Sequence, residues 1–202
     1  MQKLIINAHP APHLAAHCTN QIVTYLHDKL PDAEILNLYD ADIPTIDSES
    51  LPLYSGEKTA TSAHEQHIMA RRMKQVTQFK TASRIFIAMP LHNLSIPSRL
   101  KDYIDNIVMP GQTFSFTSQG PQGLLSGHKA LLLQASGSVY RGSAGMHGDH
   151  SYNLLNAVLT ALGFPSLDII RIEGTRQSNI GAEAALTKAK TEIDTLLPHF
   201  LK

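Results

Sequence analysis

The sequence predicts an α/β fold in which helices cover both faces of a parallel sheet. Short apolar runs alternate with amphipathic helical patterns along the chain, which is typical of strand–helix units in a parallel sheet. One of the runs, Arg84–Met89, has the pattern of a buried strand. Hydrophobic residues make up 43% of the 202 residues, enough to build a core on both faces of a sheet. We therefore expect a single domain that spans residues 1–202.

Five strands and five helices are predicted. The strands are expected at Lys3–Asn7, Glu34–Leu38, Arg84–Met89, Lys129–Gln134 and Leu167–Ile172. The helices are expected at about Asn20–Leu30, His64–Lys80, Ser98–Val108, Tyr152–Leu162 and Gly181–Leu197. With five parallel strands, a flavodoxin-like strand order is expected, because the first strand must neighbour a switch point for a ligand crevice to form.

Two connections are longer than the minimal strand–helix unit needs. Ala41–Ala63 is rich in proline, serine and threonine, and Pro110–Ser126 contains several glycines, as a hairpin would. Loops of this length in a compact domain are usually functional. Their large apolar side chains are Leu53, Tyr54, Phe114 and Phe116.

The composition excludes several classes of protein. Seventeen basic and seventeen acidic side chains cancel, and no basic patch of the kind that binds nucleic acid is present. No run of 18 apolar residues predicts a membrane span, and the chain begins with a strand rather than a signal segment. The single cysteine cannot form an intrachain disulfide and suits a reducing compartment. We therefore expect a cytoplasmic protein with no nucleic-acid partner and no membrane insertion.

The connection after Arg84–Met89 is the most informative part of the chain. Pro90 cannot donate to a sheet and ends the strand, and Pro97 suits the first turn of the next helix. Open α/β sheets bind ligands in loops at this end of a strand. Unpaired backbone groups can bond the polar edge of a flat heterocycle, and leucines can cover its apolar face. A flavin ring is therefore expected to contact Pro90, Leu91, His92, Asn93 and Leu94.

The connection after the first strand is a candidate phosphate site, because the first turn of a helix offers unpaired N–H groups to an anion. No lysine or arginine lies between Lys3 and Lys29, and the sequence lacks both the Walker lysine motif and the dinucleotide glycine fingerprint. A monophosphate such as that of FMN suits a lysine-free site. The candidate contacts are His9, His17, Cys18, Thr19 and Asn20. The alternatives are that Thr19 only caps the helix and that Cys18 is a packed side chain or a thiol activated by the helix end.

Small residues follow the fourth predicted strand. They allow the backbone to approach a ligand closely. We therefore expect the other edge of the flavin ring to contact Ala135, Ser136, Gly137 and Ser138.

The loop at Pro90–Leu94 and its surroundings resemble the FMN-dependent azoreductase and quinone-reductase family. The similarity in order and spacing covers most of the chain and is best at Ser83–Gln134 and Leu159–Pro165. The motifs are Met89-Pro90 through Asn93 to Ile96-Pro97-Ser98, Leu100-Lys101, Asp105, Gly111-Gln112-Thr113-Phe114, Gly120-Pro121-Gln122-Gly123-Leu124 and Gly127-His128-Lys129-Ala130. The resemblance implies a flavodoxin-like three-layer α/β/α sandwich with a five-stranded parallel sheet.

The same resemblance implies an FMN-dependent oxidoreductase that transfers two electrons from NADH or NADPH to quinones and azo compounds by a ping-pong mechanism. Members of the family are homodimers with the site at the subunit interface. The apolar side chains of the two long connections could lie in such an interface or in the core. The other functions considered are a flavodoxin-type electron carrier and a regulatory subunit that keeps the flavin fold.

Other segments are more similar to the related FAD-type quinone reductases, which keeps FAD as the alternative cofactor. These are Ala8-His9-Pro10, Gly137-Ser138-Val139-Tyr140 and Gly145-Met146-His147-Gly148-Asp149. In those relatives the matching tyrosine and histidine lie beside the flavin and the substrate, so the resemblance implies Tyr140 and His147 as catalytic candidates. An imidazole could accept or return the proton that accompanies a hydride. Alternatively, this glycine-rich loop takes no part in the chemistry.

The eleven histidines do not form a metal motif. Neither a His-Glu-x-x-His motif nor a multi-cysteine spacing is present, and a metal needs three or four converging ligands. No metal is expected.

Overall fold

The computed structural model describes residues 1–140 and 149–202. Within those ranges the strands are β1 (Gln2–Asn7), β2 (Glu34–Asn37), β3 (Ala82–Pro90), β4 (Phe114–Thr117), β5 (Gly120–Gly123), β6 (Lys129–Ala135) and β7 (Leu167–Ile172). The helices are α1 (Cys18–Lys29), α2 (Leu51–Tyr54), α3 (Ala63–Thr81), α4 (Ser98–Ile107), α5 (Ser151–Ala161) and α6 (Gly181–Phe200).

The main sheet has five parallel strands in the order β2-β1-β3-β6-β7. All five predicted strands and the predicted flavodoxin-like order are confirmed. Strand β1 has β2 on one side and β3 on the other, so the connections that follow β1 and β3 run in opposite directions. A crevice therefore opens between these connections at the carboxyl ends of the two strands. This crevice is where the sequence places the candidate ligand loops.

Successive residues of the central strands point to opposite faces of the sheet, and each face carries its own apolar core. Leu4 and Ile6 belong to one core, with residues of α3, α4 and α5. Ile5 belongs to the other, with residues of α1 and α6. Both cores are almost free of solvent contact, which confirms the predicted three-layer sandwich.

Two helix ends differ from the prediction for identifiable reasons. Helix α1 begins at Cys18, two residues before the predicted start, with His17 at its N-cap position, so Thr19 does not cap it. Helix α6 continues through Pro198 to Phe200. Its last turn is held by tertiary contacts, since the Phe200 ring packs 5.1 Å from the Phe86 ring and its carbonyl accepts a hydrogen bond from the buried Arg84.

The connection between β2 and α3 is packed onto the domain rather than extended from it. Leu53 is buried, and the Tyr54 ring lies 4.0 Å from the guanidinium of Arg72. The buried Arg72 side chain donates to the carbonyls of Asn106 and Val108 at the end of α4. Leu53 and Tyr54 are therefore packed against the domain.

The second long connection forms the predicted hairpin, an antiparallel pair of β4 and β5. The Phe114 ring is half-buried and meets the edge of the Phe116 ring at 5.3 Å. Phe116 itself is 73% exposed. Within the described residues, the hairpin thus presents a large aromatic side chain to solvent.

Candidate functional site

A cavity of about 800 Å³ opens where the carboxyl ends of β1, β3 and β6 meet the first turn of α1. Its walls bring together segments that are far apart in the sequence. They are formed by His9, Pro10, Ala16, His17, Cys18, Thr19, Pro90, Leu91, His92, Asn93, Ala135, Ser136, Gly137, Thr175, Arg176 and Ala182. The three predicted ligand loops therefore line one cavity at the switch point of the sheet.

Two buried asparagines hold the candidate phosphate loop in shape. The Asn20 amide donates to the carbonyls of Ala11 and Leu14, both at 2.8 Å. Its oxygen accepts a hydrogen bond from Asn7, and the Asn7 oxygen accepts one from the backbone N–H of His9. Asn20, which we predicted as a cofactor contact, does not line the cavity, because its amide is already used to fix the loop from beneath.

Two imidazoles stand together at this end of the cavity. The rings of His9 and His17 have their centroids 4.3 Å apart. The His9 Nδ1 atom accepts a hydrogen bond from the backbone N–H of Ala11 at 3.0 Å. Burial lowers the pKa of His9, and the neighbouring His17 and His92 lower it further by charge repulsion. His9 is therefore held in its neutral form.

The first turn of α1 supplies the remaining predicted phosphate contacts. Thr19 is buried and Cys18 is half-buried, and both line the cavity. Burial raises the pKa of the Cys18 thiol. Because the thiolate is the reactive form, this direction favours the interpretation of Cys18 as a packed side chain over that of an activated thiol.

The loop after β3 closes in a tight turn. The backbone groups of His92 and Ser95 bond each other in both directions, at 3.0 and 2.9 Å. Asn93 and Leu94 occupy the two central positions with φ of 46° and 66°. Asparagine tolerates this left-handed region, whereas leucine is strained in it.

The expectation that the backbone of this loop is unpaired is wrong in part. The Leu91 N–H donates to the Ala135 carbonyl at 2.7 Å, and the His92 N–H is used within the turn. Among the described residues, the Asn93 and Leu94 N–H groups have no such partner. Leu94 does not line the cavity, and its carbonyl instead accepts the N–H of His150.

The loop after β6 is clasped by the loop after β7. The backbone N–H and the hydroxyl of Thr175 both donate to the Ser136 carbonyl, and the Arg176 N–H donates to Gly137. The Ser136 hydroxyl donates to the Ser138 carbonyl at 2.7 Å. Ser138 is exposed and does not line the cavity, because this bond turns the chain away from it.

The structure does not place either of the two catalytic candidates at the cavity within the residues that it describes. Tyr140 does not line it, and its backbone N–H donates to the Glu173 carboxylate at 2.8 Å. His147 lies outside the described residues. Both therefore remain predictions that rest on the resemblance.

Sequence reasoning missed the contribution of the loop after β7. Thr175 and Arg176 line the cavity, together with Ala182 at the start of α6. Polar residues that follow the last parallel strand emerge at the same edge as those after the first, and this rule would have found them. Among the lining residues that the structure describes, Arg176 is the only lysine or arginine, and none is an aspartate or glutamate. The cavity therefore favours an anion.

A buried polar network stands beside the cavity at the carboxyl end of the sheet. The Asp149 carboxylate accepts bonds from the Ser151 hydroxyl at 2.5 Å, Arg171 at 3.0 Å and Gln134 at 3.1 Å. Burial by itself raises the pKa of Asp149, but these bonds together outweigh it and hold the pKa below its ordinary value. The network ties the start of α5 to β6 and β7.

Residues 1–140 and 149–202 contain no group of three or more histidine, cysteine, aspartate or glutamate side chains placed to hold a metal ion. None of the helices in these ranges is long and apolar enough to cross a membrane.

The five-stranded sheet and the cavity at its switch point define a protein of flavodoxin-like fold. Residues 1–197 match the family described as "Flavodoxin-like fold". The chain is 37% identical over 210 residues to FMN-dependent NADH:quinone oxidoreductase 1 of Lactiplantibacillus plantarum, a match that covers 98% of this chain and 97% of the relative. It is 36% identical to the enzyme of the same name from Bacillus cereus, over 85% and 86% of the two chains. The chain therefore belongs to the family of FMN-dependent NADH:quinone oxidoreductases.

A solved structure agrees with this assignment. The FMN-dependent NADH-azoreductase of Bacillus anthracis, crystallised in complex with FMN, superimposes with a TM-score of 0.86 at 31% identity. The superposition covers 97% of this chain and 99% of the azoreductase. The two proteins thus share their fold over nearly their whole lengths.

Proposed function

We propose that this protein is an FMN-dependent oxidoreductase that carries two electrons from NADH or NADPH to quinones and azo compounds. The observation that carries the proposal is the cavity at the switch point, whose lining, as far as the chain is described, includes an arginine and three histidines but no carboxylate. Relatives named as FMN-dependent NADH:quinone oxidoreductases, and a structural neighbour crystallised with FMN, support it.

The residues of the cavity fit FMN in two parts. The anionic phosphate suits the first turn of α1, where N–H groups, the Thr19 hydroxyl and the imidazoles of His9 and His17 converge. The flat ring suits the space between the turn at Asn93 and the backbone of Ala135–Gly137. When bound, FMN supplies the redox chemistry, accepting a hydride from the nicotinamide and passing it to the acceptor. The chain binds the cofactor, orients it and excludes water.

The cofactor and the activity are tested together with the purified protein. The apoprotein is titrated with FMN and, separately, with FAD, and the holoprotein is then mixed with NADH without oxygen. We expect stoichiometric FMN binding and loss of the yellow absorption on addition of NADH alone. Tight binding of FAD but not FMN would overturn the choice of cofactor. A bound flavin that NADH cannot bleach would indicate the electron carrier or the regulatory subunit instead.

We expect both substrates to use the same part of the cavity in turn. Steady-state rates at several concentrations of NADH and of a quinone should then give parallel double-reciprocal lines. Intersecting lines would indicate a ternary complex and contradict the ping-pong mechanism. The same experiment with NADPH measures the preference between the two donors.

Tyr140 and His147 are proposed to assist proton delivery to the reduced acceptor. His147→Ala and Tyr140→Phe should then slow reoxidation by a quinone while leaving reduction by NADH nearly unchanged. General acid help of this kind contributes roughly 10²–10⁴-fold to a rate. Stopped-flow measurement of both half-reactions distinguishes this role from a purely structural one, in which reoxidation is unaltered.

We also propose that the protein works as a homodimer and that the β4–β5 hairpin belongs to the interface. Phe116 is 73% exposed at the hairpin, and exposed aromatic side chains are enriched in interfaces. Phe116→Ser should shift the protein toward monomer in light scattering after gel filtration. Ile35→Thr is the control, since Ile35 is also exposed but lies on the edge strand β2. An unchanged mass for Phe116→Ser would exclude the hairpin from the interface.

The whole chain, residues 1–202, is proposed to act as one flavin-binding domain. Both apolar cores pack on the same sheet, and the family match covers residues 1–197. We further propose that it works in the cytoplasm, which the free Cys18 and the use of a reduced nicotinamide support. A single cooperative unfolding transition and cell fractionation test these two points.

A further inference from the structure

Most of the groups in the cavity lining that can carry a positive charge are histidines. Within the described part of the chain, Arg176 is the only permanently charged residue that lines the cavity, and His9, His17 and His92 supply three imidazoles. An imidazole titrates near neutral pH, so it carries a positive charge only after it takes up a proton. The hydrogen bonds of the three rings decide which of them can take up a proton when a phosphate binds.

His9 is not free to take up a proton. Its Nδ1 atom accepts the N–H of Ala11, so the neutral ring carries its hydrogen on Nε2. A proton on Nδ1 would point at the Ala11 N–H and break the hydrogen bond that Nδ1 accepts from it. His9 can therefore serve as a fixed, neutral N–H donor.

His17 is placed differently. Its side chain is exposed and, although His17 stands at the N-cap position of α1, it makes no capping hydrogen bond. No hydrogen bond or ion pair joins its ring to another residue in the described part of the chain. The ring lies against His9 at 4.3 Å between centroids and lines the cavity beside Cys18 and Thr19. Both of its nitrogens are open to a ligand.

We propose that His17 is the residue that selects phosphorylated flavin over unphosphorylated flavin, because its ring takes up a proton from solvent more readily when the phosphate is bound. The neutral His9 holds the phosphate through Nε2–H, and His17 contributes the positive charge. This inference rests on the proposed function, since it assigns roles within the same cofactor site.

The other groups that face His17 do not replace it in this role. Arg176, from the loop after β7, is always charged and cannot take up a proton. Cys18, from α1, is held as a neutral thiol, because burial raises its pKa. His92, from the loop after β3, belongs to the turn that is assigned to the flavin ring, whereas His17 stands at the start of α1, where the phosphate is proposed to bind. His13, in the same loop as His17, lies outside the cavity and is paired with Asp40 at 2.8 Å.

The proton uptake is measured by calorimetry at pH 7.5 in two buffers of different ionisation heat. At this pH the phosphate of FMN is almost fully ionised, so a net uptake reports on the protein. We expect wild type and His13→Gln to take up a fraction of a proton with FMN and none with riboflavin. The preference of wild type for FMN over riboflavin should therefore rise as the pH falls below 7.5, by at most roughly tenfold per pH unit, whereas His17→Gln should take up no proton and show no such rise.

The result that overturns the proposal is FMN binding by wild type with no proton uptake, or uptake that persists in His17→Gln. Uptake lost instead in His92→Gln would assign the proton to the other loop and equally overturn it.

A second measurement does not depend on FMN binding. Sulfate keeps a constant charge at these pH values, and it is added to the apoprotein while the histidine rings are followed by NMR. We expect the titration midpoint of the His17 ring to move to higher pH and the His9 ring to stay neutral with hydrogen on Nε2. An unmoved His17 ring would overturn the proposal. If FMN fails to bind and sulfate still shifts His17, the proposed function and the selection of flavin fail, while the uptake of a proton by His17 next to a bound anion stands.

Discussion

A Cβ atom placed on Gly123 would lie 2.1 Å from the backbone nitrogen of Gly163. The hairpin strand β5 therefore touches the end of α5 backbone to backbone, with no side chain between them. The Leu125 N–H donates to the Leu162 carbonyl at the same contact, and Gly163 has φ of 102°. Two glycines and one hydrogen bond thus fasten the hairpin to the domain.

Gly123→Ala should detach or distort the hairpin. The methyl group has backbone on its far side, which cannot move away as a side chain could. We expect a loss of at least about 1–3 kcal/mol in the free energy of unfolding, as for other overpacked sites. Gly127→Ala is the matched control, since nothing lies within 4 Å of its added Cβ and its φ is not in the left-handed region. Urea unfolding measures both, and equal stabilities would contradict this account of the contact.

The Asn93 side chain should contribute to FMN binding. We expect its exposed amide to form a hydrogen bond to the ring that becomes buried when FMN binds, so that Asn93→Gly should weaken FMN binding by about 1–2 kcal/mol. Glycine keeps the left-handed φ of 46°, whereas Asn93→Ala adds backbone strain and should also lower the melting temperature. His92→Ala should weaken binding less. Flavin fluorescence titrations measure the affinity of each variant for FMN. A wild-type affinity in Asn93→Gly would mean that the amide only shapes the turn.

Arg176 should strengthen the binding of the phosphorylated cofactor through its charge. The Arg176 Cδ atom lies 3.2 Å from the position that a Cβ atom would take on Gly137. The Arg176 side chain therefore packs against this glycine at the cavity wall. We expect Arg176→Gln to weaken FMN binding by about 0.5–1 kcal/mol at low salt, and less at high salt, because exposed charges are screened. Riboflavin binding should not change. Lys188→Gln, an exposed cation on α6, is the control. An effect that salt leaves unaltered would rule out the electrostatic explanation.

Asp149 should make the free energy of unfolding depend on pH in the acidic range. Its pKa is lower in the folded protein than the ordinary value of 3.8, so the unfolded chain binds more protons as the pH falls. The stabilisation is therefore complete above that value and is lost as the pH drops below it. Asp149→Asn should cost about 1–3 kcal/mol at pH 7, because it removes the carboxylate that pairs with the partly buried Arg171 at 3.0 Å and leaves only the longer contact with Glu173 at 3.8 Å.

The difference between wild type and Asp149→Asn should be smaller at pH 3 than at pH 7, because the stabilisation by the wild-type carboxylate is lost progressively below pH 3.8. Urea unfolding at the two pH values measures it. Asp168→Asn, an exposed carboxylate on β7, should show neither effect. A pH-independent difference would assign the loss to packing rather than to charge.

Local patterns were enough to predict the elements that frame the site. The strands and the loop from Pro90 to Asn93 are encoded by neighbouring residues, because prolines and apolar runs act within a few positions. The shape of that loop was not predictable in the same way. The Leu91 N–H is taken up by Ala135, a residue 44 positions away that only the pairing of β3 with β6 brings near.

The sequence by itself determined the fold class, the strand order and the position of the ligand loops at one edge of the sheet. These follow from hydrophobic periodicity and from the rule that parallel strands end at the same edge. The tertiary structure decided which side chains face the cavity: it turned Asn20 inward to hold a loop and brought Arg176 to the cavity wall beside Gly137. Such roles depend on which hydrogen-bonding partners remain unused after the chain has packed, and no local pattern records them.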